Sequence, residues 1–215
     1  MKGLLQKEFY NLSGYLKIYL IMPILFAAIS VMNRDLSMVA FGTSYIVIFV
    51  VMTSCAFDET CDFNTYALTL PISRKDIVLS KFIMANIFSI MTFIIANLLA
   101  FLLVVIFGEE SFTAYDPMSY MLEIFIVCIV CNICNSILLA IIFKFGTEKG
   151  RIVFVAFFMI LGASGFLLAK FGSFLPVGFL DFFLKNMIWI VITGSILFEL
   201  ASIQICNRIM LKKEI

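Results

Sequence analysis

Six long apolar stretches constrain the fold of this 215-residue chain more than any other feature. Each is about 18 to 26 residues long, and a helix needs about 20 mostly apolar residues to cross a bilayer. Charged residues make up 13% of the chain, against about 25% in a typical soluble domain. The sequence therefore predicts one all-α integral membrane domain, residues 1–215, with six transmembrane helices. The predicted spans are residues 15–32, 36–57, 82–107, 118–143, 152–169 and 187–206.

Lysine and arginine residues predict the orientation, because they concentrate in the cytosolic loops of membrane proteins. With six spans and the amino terminus inside, only Arg34, Lys170 and Lys185 of the 15 basic residues fall outside. We therefore expect a multi-pass membrane protein with both termini in the cytosol. The other basic residues, all on the predicted cytosolic side, are Lys2, Lys7, Lys17, Arg74, Lys75, Lys81, Lys144, Lys149, Arg151, Arg208, Lys212 and Lys213.

Residues 1–14 precede the first span and show helical spacing. Leu5, Phe9 and Leu12 share one face of such a helix, while Lys7 lies elsewhere on it. The pattern predicts a helix that lies in the membrane interface. An unstructured cytosolic start is the alternative interpretation.

Residues 171–186 are apolar but interrupted by Gly172, Pro176 and Gly178, so they are too broken to span the membrane. One interpretation is an outer re-entrant element of two short helices, which would form a plug or gate over an exit. Such backbone requires burial in protein or contact with a water-filled cavity. The other interpretation is an amphipathic loop that rests on lipid headgroups.

Several classes of chemistry lack their residues in this sequence. The chain contains no histidine, which excludes histidine-type zinc sites and Ser–His or Cys–His nucleophile pairs. It also has no glycine-rich phosphate loop. Cys128, Cys131 and Cys134 resemble part of an iron–sulfur ligand run, but they lie inside a predicted span, where packing is the simpler interpretation. We therefore expect no catalytic site, metal, bound cofactor or nucleic-acid partner.

Polar side chains inside apolar spans mark either a functional site or a hydrogen bond between helices. Glu199 falls near the middle of the predicted sixth span, and Glu123 lies near the outer end of the fourth. Asn132 and Asn135 follow on the fourth span. All four are candidates for lining a pathway. For Glu199 we favour a pathway role or an ion pair with a cytosol-side lysine, and for the asparagines we favour packing.

A polar segment, residues 58–81, separates the second and third predicted spans. It begins with acidic residues, continues as Leu-Thr-Leu-Pro-Ile-Ser and ends with a basic pair followed by Lys81. The segment is too long and too patterned for a simple turn. We expect it to present a surface to a partner on the cytosolic side.

Two strings, Met1–Tyr10 and above all Tyr66–Lys81, resemble the permease subunits of type-2 ATP-binding-cassette (ABC) exporters, particularly the small six-span bacterial ones. The resemblance covers the whole layout but is specific only in the second string. It implies that residues 58–81 hold a cytosolic coupling helix that docks on a separate ATPase subunit, which binds ATP and Mg²⁺. It also implies that residues 1–14 are the interfacial connecting helix and residues 171–186 the outer re-entrant element.

The resemblance places the coupling role on short apolar side chains, on a basic pair at the rim and on a proline that bends the segment. It further implies a second permease subunit, identical or related, that forms the pathway together with this chain. The implied ATPase-coupling residues are Asp58, Glu59, Tyr66, Leu68, Leu70, Pro71, Ile72, Arg74 and Lys75.

The sequence therefore predicts a membrane-spanning exporter subunit without its own ATPase site, which moves an amphipathic or apolar substrate such as a peptide, an antimicrobial or a lipid-like compound. The first alternative is the substrate-binding membrane subunit of a vitamin-type importer, which would need a preformed polar pocket. An intramembrane hydrolase is the second alternative. The absence of histidine and of a paired acid–base motif argues against it.

Overall fold

The computed structural model describes residues 2–67, 69–108, 112, 116–156, 159 and 177–212. These residues form α-helices joined by short connections, and no strand occurs among them. The all-α class predicted from the sequence is therefore confirmed. The helices are α1 (Lys2–Ser13), α2 (Leu16–Asn33), α3 (Ser37–Thr60), α4 (Phe63–Ala67), α5 (Arg74–Phe107), α6 (Pro117–Phe145), α7 (described over 147–156) and α8 (Val177–Lys212).

Local sequence signals explain where the long helices begin and end. Ser73 caps α5, since its hydroxyl accepts from the Asp76 backbone N–H and the Asp76 carboxylate accepts from the Ser73 backbone N–H. Asp116 caps α6 by accepting from the Ser119 backbone N–H, and a proline occupies the first helical turn. Gly108 and Gly146 end these two helices at φ values of 82° and 85°, which favour glycine.

Three of the described helices, α3, α5 and α6, are long and apolar enough to cross a membrane. The pair α1 and α2 passes the same test together, with a bend of 65° between them, which allows a fourth. The membrane class of the chain is thus shown, whereas the count of six spans stays a prediction. Most of the predicted fifth span lies outside the described residues.

Helix α8 differs from the sequence prediction at its start. The predicted outer element, residues 171–186, was expected to be separate from the sixth span, yet α8 runs unbroken from Val177 to Lys212. Residues 177–186 of the predicted outer element are thus the first part of this 36-residue helix. The helix is about 54 Å long at 1.5 Å per residue. Residues 171–176 lie outside the described residues.

The long helices pack around α3 and α6. Helix α6 contacts α3, α5 and α8, while α3 also contacts α2 and α5. One apolar cluster joins the middle and end of α3 to the start of α5 and the end of α6. A second cluster joins the start of α3, the end of α5 and the start of α6. The start of α5 therefore lies beside the end of α3, which brings the two ends of the intervening segment together.

Helix α1 packs on this end of the bundle through a different face from the one predicted. Its buried positions are Leu4, Glu8 and Leu12, four residues apart, whereas Phe9 is exposed and Leu5 only half-buried. The sequence pattern grouped Leu5 and Phe9 with Leu12 because those residues are apolar. The structure instead buries Glu8 between Leu4 and Leu12, because two lysine side chains pair with the Glu8 carboxylate.

Candidate functional site

Four charged side chains meet where α1 packs against α3 and α5: Lys7, Glu8, Asp58 and Lys81, here called the ion cluster. The Nζ atom of Lys81 lies 2.8 Å from Glu8 Oε1 and 2.6 Å from Asp58 Oδ2. The Nζ atom of Lys7 lies 2.9 Å from Glu8 Oε1 and 2.5 Å from Asp58 Oδ1. Each ammonium group therefore pairs with both carboxylates, and the formal charges cancel.

Three members of the ion cluster are almost completely buried. The exposed fractions are 1% for Glu8, 2% for Lys81 and 5% for Asp58. Ser54 supplies further hydrogen bonds: its hydroxyl donates to Glu8, and Lys81 donates to the Ser54 hydroxyl at 2.5 Å and to the Ser54 carbonyl at 3.3 Å. Buried charges are tolerated when opposite charges and hydrogen bonds replace lost hydration, and this arrangement supplies both.

Residues 61–73 connect α3 to α5 and are called here the coupling segment. The ion cluster joins α3 and α5 near the two ends of this segment, which together form its base. Asp58 lies just before this segment and Lys81 just after it, in the second turn of α5. The Lys7 ammonium also sits 3.6 Å from the centre of the Phe63 ring, in α4. Four helices, α1, α3, α4 and α5, are thus held together by charge at one end of the bundle.

A cavity of about 50 Å³ adjoins the ion cluster and is lined by Cys55, Asp58, Ile77, Lys81 and Thr147, among others. This volume accommodates a few water molecules and no larger ligand. No group of three His, Cys, Asp or Glu side chains suited to a metal ion occurs in the described part of the chain. The arrangement is suited to joining helices rather than to binding a substrate.

The coupling segment presents several exposed side chains beyond this base. Among the predicted coupling residues, Tyr66, Leu70, Pro71 and Lys75 are exposed, with exposed fractions of 61% for Tyr66 and 38% for Leu70. Leu68 lies outside the described residues. Three of these exposed residues are apolar or aromatic and the fourth is a lysine, a composition that suits a protein-docking surface with an apolar core and a charged rim.

Three other predicted coupling residues, Asp58, Ile72 and Arg74, contact the helix bundle. Asp58 belongs to the ion cluster, and Ile72 packs against the core. Arg74, expected to pair at the rim, donates to the backbone carbonyls of Met210 and Leu211 at the end of α8, at 2.7 Å and 3.4 Å. Arginine at a helix carboxyl end satisfies carbonyls that the helix leaves open. These residues brace the coupling segment against the bundle.

Glu59 braces a second connection, the turn between α6 and α7. Its carboxylate accepts a hydrogen bond of 2.7 Å from the Thr147 backbone N–H and another from the Thr147 hydroxyl. Gly146 leaves room for this contact, since a Cβ atom there would lie 2.7 Å from a carboxylate oxygen of Glu59. Two adjacent acids at the end of α3 thus hold two different neighbours: Asp58 holds α1 and α5, and Glu59 holds the start of α7.

Two of the candidate pathway residues, Glu199 and Asn132, bond to positions of α5 that are one helical turn apart. Glu199 accepts a hydrogen bond of 2.5 Å from the Asn86 side chain, so its partner is an amide on α5 rather than a lysine. Asn132 of α6 accepts a hydrogen bond of 3.0 Å from the Ser89 hydroxyl of α5. Asn135 is buried, and neither of its amide atoms has a partner among the described residues.

Glu123 occupies a different setting from these three. It is half-buried at one end of an apolar groove of about 340 Å³ between α3 and α6. No described residue forms a hydrogen bond or ion pair with its carboxylate.

Sequence reasoning missed Glu8 as a site residue and treated Lys81 only as a basic residue of the cytosolic side. Two signals were available. Glu8 stands between Leu4 and Leu12 at helical spacing, so a helix buried through the leucines also buries the carboxylate. Lys81 stands in the second turn of α5, where the preceding and following apolar residues predict burial. Two buried charges of opposite sign predict each other as partners.

Comparison with known proteins gives one family. The family model described as "ABC-2 family transporter protein" matches residues 3–211, nearly the whole chain. No curated protein and no solved structure matches the chain. The match includes α1, the ion cluster, the coupling segment and α8. The chain therefore belongs to the ABC-2 transporter family and is a permease subunit of that type.

Proposed function

We propose that this chain is the membrane-spanning half of an ATP-driven exporter that moves an amphipathic or apolar substrate out of the cell. Family membership supports a permease subunit that works with an ABC ATPase. The direction of transport and the substrate class belong to the proposal. The ATP and Mg²⁺ would be bound by the ATPase chain. The proposal includes six spans, cytosolic termini, and a second permease subunit, identical or related.

One observation carries the proposal: the coupling segment is exposed at its tip and tied at its base. Its exposed residues, including Tyr66 and Leu70, offer the ATPase a surface. Its base is held by the Asp58–Lys81 pair and by Glu8 of α1. A movement imposed on the tip would therefore be passed to α1, α3 and α5 together. A loop without such ties would bend at its base and absorb the movement.

This assignment gives α1 a mechanical role. Helix α1 contributes two of the four charges of the ion cluster, Lys7 and Glu8, and it meets α2 at a bend of 65°. We propose that α1 lies in the cytosolic membrane interface and transmits movement of the coupling segment to α2. Packed helices with charge-paired contacts transmit displacement as units, because such contacts have discrete arrangements.

The experiment that tests the proposal changes the tip without disturbing the base. The substitution Leu70→Asp places a charge in the proposed docking surface, and an unpaired charge buried at an interface costs several kcal/mol. We expect the ATPase to be lost on co-purification, while the permease inserts and keeps its thermal stability. Ile72 is unsuitable for this test because it packs against the core. Thr60→Asp, at an exposed position outside the segment, is the matched control.

Two results would overturn this assignment. Retention of the ATPase and of ATP-dependent transport by Leu70→Asp would place the docking surface elsewhere. Equal loss in the Thr60→Asp control would show that any added cytosolic charge disrupts the complex, so that the effect is not specific to the tip.

A further inference from the structure

The groove that contains Glu123 combines a long apolar wall with a single carboxylate. Phe41, Tyr45 and Ile48 of α3 form one side, and α6 forms the other from Glu123 to Cys134. Its volume of about 340 Å³ falls within the range of small-molecule sites. Tyr45 and Ile48 also line a second apolar groove that extends toward α7.

The position of Glu123 along the groove defines a polar end and an apolar end. Glu123 lies six residues from the start of α6, about 9 Å along the helix axis. Cys134 lies eleven residues further, about 16 Å deeper. Every other lining residue in this stretch of α6 is apolar or a cysteine. A ligand that fills the groove would therefore place its polar group at Glu123 and about 16 Å of apolar body beside α3 and α6.

The charge of that polar group follows from the carboxylate. The other carboxylates of the described bundle interior have partners: Glu8 and Asp58 pair with lysines, and Glu199 accepts from Asn86. Glu123 has no such partner in the described residues. A carboxylate inside a membrane-spanning helix marks a functional site by default, and the group that complements it is a cation. Lipid tails and neutral apolar compounds can pack against the apolar wall of the groove, but they leave the Glu123 carboxylate without a partner.

We propose that this groove binds amphipathic cations, with the amine or quaternary ammonium group at Glu123 and the apolar body along the groove. The inference rests on the proposed function, since it names the substrate class of the permease. The cation site narrows the proposed substrate class from amphipathic or apolar compounds to compounds with one positively charged end. Phe41 and Tyr45, both about half exposed at 47% and 48%, supply aromatic surface to the ligand.

The test measures binding to the full-length permease alone, in nanodiscs of neutral lipid and without any ATPase. The probe is dodecane-1,12-diamine with a dansyl group on one nitrogen, which keeps one ammonium end. Its N-acetylated counterpart is neutral and otherwise the same. We expect the cationic probe to bind and Glu123→Gln to weaken its binding at least tenfold, while the neutral probe binds more weakly and is unaffected by the substitution.

Two further variants separate charge from shape. Val130→Trp fills the groove from α6, and we expect it to weaken binding of the cationic probe while Glu123 remains in place. Glu148→Gln removes an exposed carboxylate of α7 outside the groove and should change nothing. Correct insertion of each variant is checked by its elution as the same species as the unmodified protein.

The outcomes distinguish this inference from the proposed function. Equal binding of both probes, or unchanged cation affinity in Glu123→Gln, would refute the cation site, because it would show that the Glu123 charge does not contribute to binding. Neither result affects docking of the ATPase on the coupling segment. Conversely, Glu123-dependent binding of the cationic probe together with retention of the ATPase by Leu70→Asp would leave this inference standing and refute the proposed docking of the ATPase on the coupling segment.

Discussion

Replacing Lys81 by methionine is the sharpest perturbation of the ion cluster. Methionine keeps most of the side-chain volume and removes the charge, which leaves Glu8 and Asp58 with Lys7 alone. Two unit charges about 2.8 Å apart attract by about 6 kcal/mol at an effective dielectric constant of about 20, and Lys81 has two such partners. Much of this attraction is offset by the cost of burying the ammonium group. Removing one partner of a buried pair typically costs about 3–5 kcal/mol.

We therefore expect Lys81→Met to lower the free energy of unfolding by about 3–5 kcal/mol. The measurement is unfolding in mixed micelles of detergent and SDS, followed by circular dichroism. Lys75→Met, an exposed position on the same helix, is the matched control and should change the free energy by less than about 0.5 kcal/mol. Adding Glu8→Leu to Lys81→Met leaves the Lys7–Asp58 pair balanced, so the double variant should be more stable than the sum of the single changes predicts.

Equal stability of Lys81→Met and Lys75→Met would refute the reasoning, because it would show that the ion cluster contributes nothing to holding the helices together. Strict additivity of the two changes would show that Glu8 and Lys81 do not interact.

Two further variants test contacts elsewhere in the bundle. Gly146→Ala should destabilise the protein by about 1–3 kcal/mol, because φ 85° and ψ 171° are accessible essentially to glycine alone. Gly194→Ala, with open space around the new Cβ, is its control in the same unfolding assay, and equal effects would contradict the argument. Glu199→Leu leaves the amide of α5 without its acceptor and should be less stable than Glu199→Gln by about 1 kcal/mol. If transport fails in the Gln variant as well, Glu199 acts through its charge rather than through this hydrogen bond.

The helical class and the approximate positions of α3, α5 and α6 follow from the sequence, because runs of apolar residues are local signals. The start of α5 is also local, since Ser73 and Asp76 form a capping box within four residues. The position of residues 58–81 outside the apolar spans follows from their charged ends and their proline.

The ion cluster and the contacts of the coupling residues with the bundle do not follow from local patterns. Glu8 and Lys81 are 73 residues apart, and Arg74 reaches a carbonyl 136 residues away. A charged residue near a predicted loop can either face solvent at the rim or pair with a buried group of opposite charge. Hydropathy alone does not distinguish these two positions. The resemblance implied a rim position for Arg74 and a coupling role for Asp58, whereas their partners on α8 and α1 are brought close only by the packed bundle. Likewise, the partner of Glu199 is Asn86, which is 113 residues away and is brought close only by the packed bundle.

Cysteine labelling tests the central claim most directly, because the coupling segment already carries its own reporter. Cys61 is exposed at the start of the segment, whereas the other five cysteines are buried. We predict that a membrane-impermeant maleimide labels Cys61 of the unsubstituted protein in inside-out vesicles but not in intact cells. We also predict that bound ATPase slows this labelling at least tenfold. The Cys61→Ser variant should remain unlabelled in both preparations. Labelling of Cys61 from outside intact cells, or a rate that the ATPase leaves unchanged, would contradict a cytosolic coupling segment on which the ATPase docks.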